Sequence, residues 1–164
     1  MDNSILFLYL CKKTGMINRI IKGSILSDYK RRKVIVLLGA RQVGKTTLLS
    51  ELCEGKDRVL SLNCDNVDDV LALEGKTTTE LRQLLSSYEL VFIDEAQRVK
   101  NVGLTLKMIG DLKLETQVVV TGSSSLDMAD EINEPATGRL IEYNLFPFSL
   151  PELALYSSER EENR

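Results

Sequence analysis

The chain contains no histidine and only three cysteines among its 164 residues. Without an imidazole there is no histidine general base and no histidine zinc site. Cys11, Cys53 and Cys64 stand in no C-x-x-C spacing. An odd, scattered count fits a reducing cytoplasm, where Cys53 and Cys64 serve as small apolar residues. Long hydrophobic runs are also missing. The densest near a terminus, Ile5-Leu6-Phe7-Leu8-Tyr9-Leu10, falls far short of a membrane span. Asp2 and no basic residue precedes it, which argues against a signal peptide. Neither sign of charge dominates. A net charge of −3 gives no general attraction to nucleic acid. The one basic cluster, Lys30-Arg31-Arg32-Lys33, could touch phosphates but reads first as a solvated loop before a strand. A hydrophobic content of 43% is ordinary for a globular chain, and the length suits one domain with a three-layer α/β core.

What is present is phosphate chemistry. Gly39-Ala40-Arg41-Gln42-Val43-Gly44-Lys45-Thr46 spells G-x-x-x-x-G-K-[ST], the P-loop pattern. The apolar run Val34–Leu38 before it predicts a buried parallel strand, and Thr47–Leu52 after it has helical spacing. In that context the loop's backbone N–H groups and the helix start face an anion. Gly39 and Gly44 permit a close approach, Lys45 supplies a charge to the β- and γ-phosphates, and the Thr46 hydroxyl is placed as a Mg²⁺ ligand. Arg41 and Gln42 are expected to face solvent. The bare alternative is a glycine turn with Lys45 merely solvated.

A second buried-strand pattern, Glu89–Ile93, ends in Asp94-Glu95. Acids at the C-terminal end of a parallel strand lie in the crevice where α/β sheets bind ligands. Asp94 would hold Mg²⁺ opposite Thr46, and Glu95 is a candidate general base for the attacking water. The alternative is a pair of acids capping a helix that begins near Ala96-Gln97-Arg98. A water-activating Glu beside a magnesium Asp favours hydrolysis over small-molecule phosphoryl transfer. The absence of an Asn-Lys-x-Asp guanine reader favours ATP over GTP. The strand Gln117–Thr121 runs into Gly122-Ser123-Ser124-Ser125. Thr121 and Ser123 either hold the attacking water or belong to a plain Gly/Ser turn. Arg139, before a fifth strand near 140–146, reads either as a finger reaching a neighbouring subunit's γ-phosphate or as a structural partner of Glu134 or Glu142.

Elsewhere, Arg58–Cys64 reads as a strand followed by a turn or cap at Asp65. Helices are expected near 17–30 (with Ile17, Ile20, Ile21 and Ile25 on one side), 67–73, 79–87 and 104–114. Alternation of strands and helices implies parallel pairing. Residues 127–135 read as a polar loop and 157–164 as a frayed, charged tail.

In this order the elements resemble an AAA+-type ATPase. The wording is closest to the prokaryotic ATPases with an AAA_14-type domain, usually followed by a DUF4143 domain. The resemblance rests on Leu38–Thr47, on Phe92-Ile93-Asp94-Glu95-Ala96-Gln97, on Thr121-Gly122-Ser123-Ser124, and on Gly138-Arg139 with Leu145-Phe146-Pro147-Phe148-Ser149. It implies an α/β, three-layer P-loop NTPase fold (ASCE/AAA+ type) with a mainly parallel five-stranded sheet in order 5-1-4-3-2. It makes Gly39, Ala40, Arg41, Gln42, Val43, Gly44, Lys45, Thr46 and Thr47 the Walker A nucleotide-binding stretch. Asp94 and Glu95 become Walker B, and the strand end at Thr121 to Ser123 becomes sensor 1. The helix near 17–30 is placed by the adenine. ATP and Mg²⁺ are the implied cofactors, with catalytic roles for Lys45, Glu95, Thr121, Ser123 and Arg139 and metal ligation by Thr46 and Asp94. A homo-oligomer through Arg139, an unknown protein partner and, more weakly, DNA are the implied partners; a membrane is not. The ATPase domain is expected over 16–152, with 1–15 an extension before Met16. Residues 153–164 are then a charged tail, short of the usual C-terminal half and its sensor-2 arginine. A nucleotide-gated module with little hydrolysis is the competing reading.

Overall fold

A computed structural model of the chain describes residues 17–123 and 138–162. Residues 1–15, Met16, Cys11, Ser124, Ser125, the 127–135 loop and Glu134 lie outside the described residues. Five strands form one parallel sheet: β1 (Val34–Leu38), β2 (Val59–Asn63), β3 (Leu90–Asp94), β4 (Gln117–Gly122) and β5 (Leu140–Asn144). Their order is β2-β3-β4-β1-β5, the expected 5-1-4-3-2.

The three central strands read as continuous apolar runs because both faces of the sheet are covered. Alternate residues divide between two cores. Val34, Val36, Val91, Ile93, Val118 and Val120 point to one. There they meet helix α4 (Thr78–Leu85) through Leu81 and Leu85, and helix α5 (Val102–Asp111) through Leu106 and Ile109. Ile35, Leu37, Phe92 and Val119 point to the other. There they meet Ile25 of helix α1 (Ile21–Asp28) and Leu48, Leu49 and Leu52 of helix α2 (Lys45–Leu52). Local chemistry sets the short helices. Asn66 caps α3 (Val67–Leu71) by accepting from Asp68 N, and Thr77 with Glu80 forms a reciprocal capping box on α4. Those hydrogen bonds, from the Thr77 backbone first and then its hydroxyl, lower the Glu80 pKa.

Three expectations are corrected. The helix expected over 17–30 runs only over Ile21–Asp28, followed by a 3-10 turn at Tyr29–Arg31. Its apolar side was misassigned: Ile20 is 59% exposed, whereas Arg19 is buried at 7%. Arg19 is held inside by partners far along the chain, described below. The tail expected to fray is helical through Glu162, in helix α6 (Leu150–Glu162). Ser149 starts that helix: its N–H and hydroxyl both donate to Glu152 Oε2, at 2.8 and 2.9 Å. The helix expected from Ala96 is a single 3-10 turn, Ala96–Arg98, and Glu95 before it makes no side-chain cap.

Candidate nucleotide-binding site

Parallel pairing brings the strand ends to one edge. Leu38 pairs with Gly122, Ile93 with Val120, and Asn63 with Asp94. The segments leaving β1, β3 and β4 therefore start side by side. After β1 the chain turns through Gly39–Gly44. Gly39 is required there by a close approach: a Cβ would lie 2.6 Å from the Leu145 carbonyl oxygen. Gly44 takes φ +94°, a conformation costly for any side chain, and hands the chain to α2. Gln42 also adopts a positive φ. Gly44 has no capping side chain, so the first N–H groups of α2 have no side-chain cap at that position.

The predicted side chains converge. An open cavity of about 680 Å³ is lined by Lys45, Thr46, Thr47, Asp94 and Glu95 together with Arg41, Gln42 and Gly44. Arg41 and Gln42 are exposed, as expected, yet they form part of its wall. Lys45 is 6% exposed and folds back, donating to the carbonyls of Gly39 at 2.8 Å and Ala40 at 3.0 Å. Thr121, fully buried, donates its hydroxyl to Asp94 Oδ1. The Glu95 N–H lies against the same two oxygens, 3.2 Å from Asp94 Oδ1 and 3.3 Å from Thr121 Oγ1. Thr121 thus orients the Asp94 carboxylate, a clearer placement than either sequence reading offered. Glu95 sits at φ +52°, and its Oε2 accepts from the Gln97 amide. Ser123 follows β4, partly buried and not among the residues lining the cavity.

These residues fit a magnesium–triphosphate group in kind. Mg²⁺ is commonly held by one or two protein oxygens plus phosphates and water. Thr46 and Asp94 line the same space, and no cluster of three His, Cys, Asp or Glu ligands occurs among the described residues. The Gly39 cradle has no room for a Cβ, and Lys45 has only backbone carbonyls to exchange. Beneath the site Cys64 is buried. Burial first, then the carboxylates of Asp69, Asp94, Asp65 and Glu95, push its thiol up to about 12, so it stays protonated at neutral pH.

Arg139 does not join this site within the chain. Its carbonyl accepts from Val34 N at 3.1 Å, which puts it at the opposite, N-terminal edge of the sheet. Its guanidinium pairs with Asp111, the acid at the end of α5, rather than with Glu142.

Two features escaped the sequence. Asp65 and Arg98 also line the cavity and form a half-exposed ion pair at 3.3 Å. Asp65 lies two residues beyond β2, and an acid just past a strand end was the signal available. The other is Arg19. It donates to the carbonyl of Val43 inside the loop at 3.0 Å, to the carbonyl of Phe146, and to Glu152 Oε1 at 3.2 Å. It also lies over the Phe148 ring, 4.5 Å from its centre. Burial raises the Glu152 pKa, but hydrogen bonds from Ser149 and Ile20 and the Arg19 charge outweigh it, leaving the carboxyl below its usual value. No local pattern marks contacts that span more than a hundred residues.

The chain matches the AAA_14 model, an AAA domain, over residues 31–154. A search among curated proteins gave no match. Among solved structures it is similar to a Walker-type ATPase of Pyrococcus abyssi, with 18% identity and a TM-score of 0.58, covering 94% of this chain and 63% of that one. It is also similar to domain III of the Thermotoga maritima replication initiation protein DnaA, with 17% identity and a TM-score of 0.53, covering 95% and 75%. At such identities the likeness establishes the fold alone. The family match covers most of the chain and takes in every motif that lines the cavity, so this protein belongs to the AAA_14 family of AAA domains.

Proposed function

We propose that this domain binds ATP and hydrolyses it with Mg²⁺. The observation that carries the reading is the convergence of Lys45, Thr46, Asp94 and Glu95 on one cavity at the C-terminal edge of the sheet. A Mg²⁺ ion, when bound, would supply neutralisation of the triphosphate's charge. Thr46 and Asp94 would hold the ion, and Thr121 fixes the Asp94 carboxylate. Lys45 releases the Gly39 and Ala40 carbonyls and turns to the phosphates. Glu95 accepts the proton of the attacking water once Gln97 yields its carboxylate. Ser123, just beyond β4, is the further candidate for contact with the γ-phosphate or water.

One observation favours a second reading, a nucleotide-gated module with little turnover of its own. Both Lys45 and Glu95 are engaged by groups of this chain, and each must change partner before chemistry. Calorimetric titration with ATP and GTP, with and without Mg²⁺, combined with phosphate release, separates the two. We expect Mg-dependent ATP binding. Glu95→Gln should keep that binding and lose about 10²–10⁴-fold in turnover. Absence of MgATP binding would end both readings; binding without turnover in the parent chain would leave the gated module.

A further inference from the structure

The edge of the sheet opposite the cavity is basic, and its charge comes from all along the chain. Arg31, Arg32 and Lys33 precede β1; Lys56 and Arg58 precede β2. Lys113 precedes β4, Arg139 precedes β5, and Arg82 stands in the last turn of α4. Because every strand runs the same way, these starts share one edge. They line two concavities of about 810 and 540 Å³ that share Arg32 and Lys113, and so form one continuous groove. Eight cations line it against three carboxylates, Glu89, Asp111 and Glu115. The chain as a whole carries −3, so this excess is a local property.

We propose that this groove binds the phosphate backbone of a single-stranded nucleic acid. The pairing pattern leaves charge to spare. Arg32, Arg58 and Arg139 each hold an acid in an exposed pair that contributes little and exchanges readily, whereas Arg31 pairs with the buried Asp28. Lys33, Lys56, Arg82 and Lys113 make no ion pair among the described residues. Five strands at about 4.8 Å spacing give a row of roughly 19 Å along which these cations are strung. Two half-buried aromatics also line the groove: Tyr29, packed against one core with Lys56 over its ring at 5.7 Å, and Tyr88, packed against the other. Cations tracking a backbone, with the exposed part of the Tyr88 ring beside them, are the two components of a single-strand platform. The floor is firm. Gln117 donates to the Lys33 carbonyl at 2.9 Å, and Thr116 donates to the carbonyls of Leu85 and Tyr88.

The test is fluorescence anisotropy with a labelled oligothymidylate of about 16 nucleotides, the upper end of a small binding site, titrated with the full chain at several salt concentrations. We expect log affinity to fall with log salt, with a slope near −3 for four neutralised phosphates, one for each unpaired cation, at about −0.7 each. Lys33→Glu/Lys56→Glu/Lys113→Glu should weaken binding at least about tenfold, with MgATP binding and thermal unfolding unchanged. If the reversal unfolds the chain, the Lys→Gln triple variant carries the same expectation. Tyr88→Leu, which keeps the apolar packing against the core but removes the ring, should lose about tenfold while keeping the salt slope. No salt-sensitive binding, or an unweakened folded triple variant, would overturn the proposal. Tighter binding to a duplex would overturn the single-strand assignment. Equal competition by polyglutamate would overturn the nucleic-acid assignment.

Discussion

At the scale of single residues, the site depends on what Gly39 lacks. A Cβ there meets the Leu145 carbonyl at 2.6 Å, a backbone atom that cannot swing aside, so the loop or β5 must shift. Gly39→Ala is therefore expected to cost about 1–3 kcal/mol and to weaken MgATP binding more than Arg41→Ala, whose side chain is exposed. Thermal unfolding and calorimetry of the two variants check this. Both loop glycines, Lys45, Thr46 and the Asp94-Glu95 pair were legible in the sequence, because each chemical role demands a residue type at a fixed short spacing. Thr121 was ambiguous, since Thr is also a common turn residue. Only the β3–β4 register brings its hydroxyl to Asp94. Arg19 was illegible: nothing near Asn18-Arg19-Ile20 foretells partners at Val43, Phe146 and Glu152, so the apolar isoleucine beside it was taken for the buried one.

At the scale of elements, the strands were readable to within one or two residues because burial on both faces leaves an unbroken apolar run. Helix ends were harder. The start of α6 depends on Glu152, whose carboxylate serves Ser149, Ile20 and Arg19 together. This makes stability depend on pH. The folded pKa of Glu152 is depressed, so its contribution is complete above the unfolded carboxyl value of about 4.3 and is lost as pH falls through the lower folded value. Unfolding followed from pH 7 downward should show stability declining over that acid range. Glu152→Gln should flatten the decline and cost about 3 kcal/mol at neutral pH, roughly 6–12 °C in Tm, because it leaves a buried Arg19 without its carboxylate. A Glu152→Gln profile parallel to that of the parent chain would refute the assignment.

At the scale of the molecule, one sheet presents two edges of different charge balance. Where strands end, the carboxylates of Asp65, Asp94 and Glu95 are matched by Arg41, Lys45 and Arg98; where they begin, arginines and lysines outnumber acids. The first set was visible because two of its acids are adjacent in sequence. The second was visible only as residues 30–33, because the other cations arrive singly from separate turns and only the topology assembles them. Arg139 belongs to that second edge and pairs with Asp111. We expect Arg139→Ala to lower stability by no more than about 1 kcal/mol and to leave turnover per subunit unchanged at low protein concentration. Phosphate release measured across a concentration series checks this; a rise with concentration that the variant abolishes would instead assign Arg139 to a neighbour's site. At the C-terminal edge lies the tie made by Arg19, which grips Val43 with one nitrogen and Glu152 of α6 with another. Mechanically, that guanidinium is a rigid link. Tension applied along α6 is delivered to the loop two residues before Lys45, and any movement of that loop is geared back to the helix.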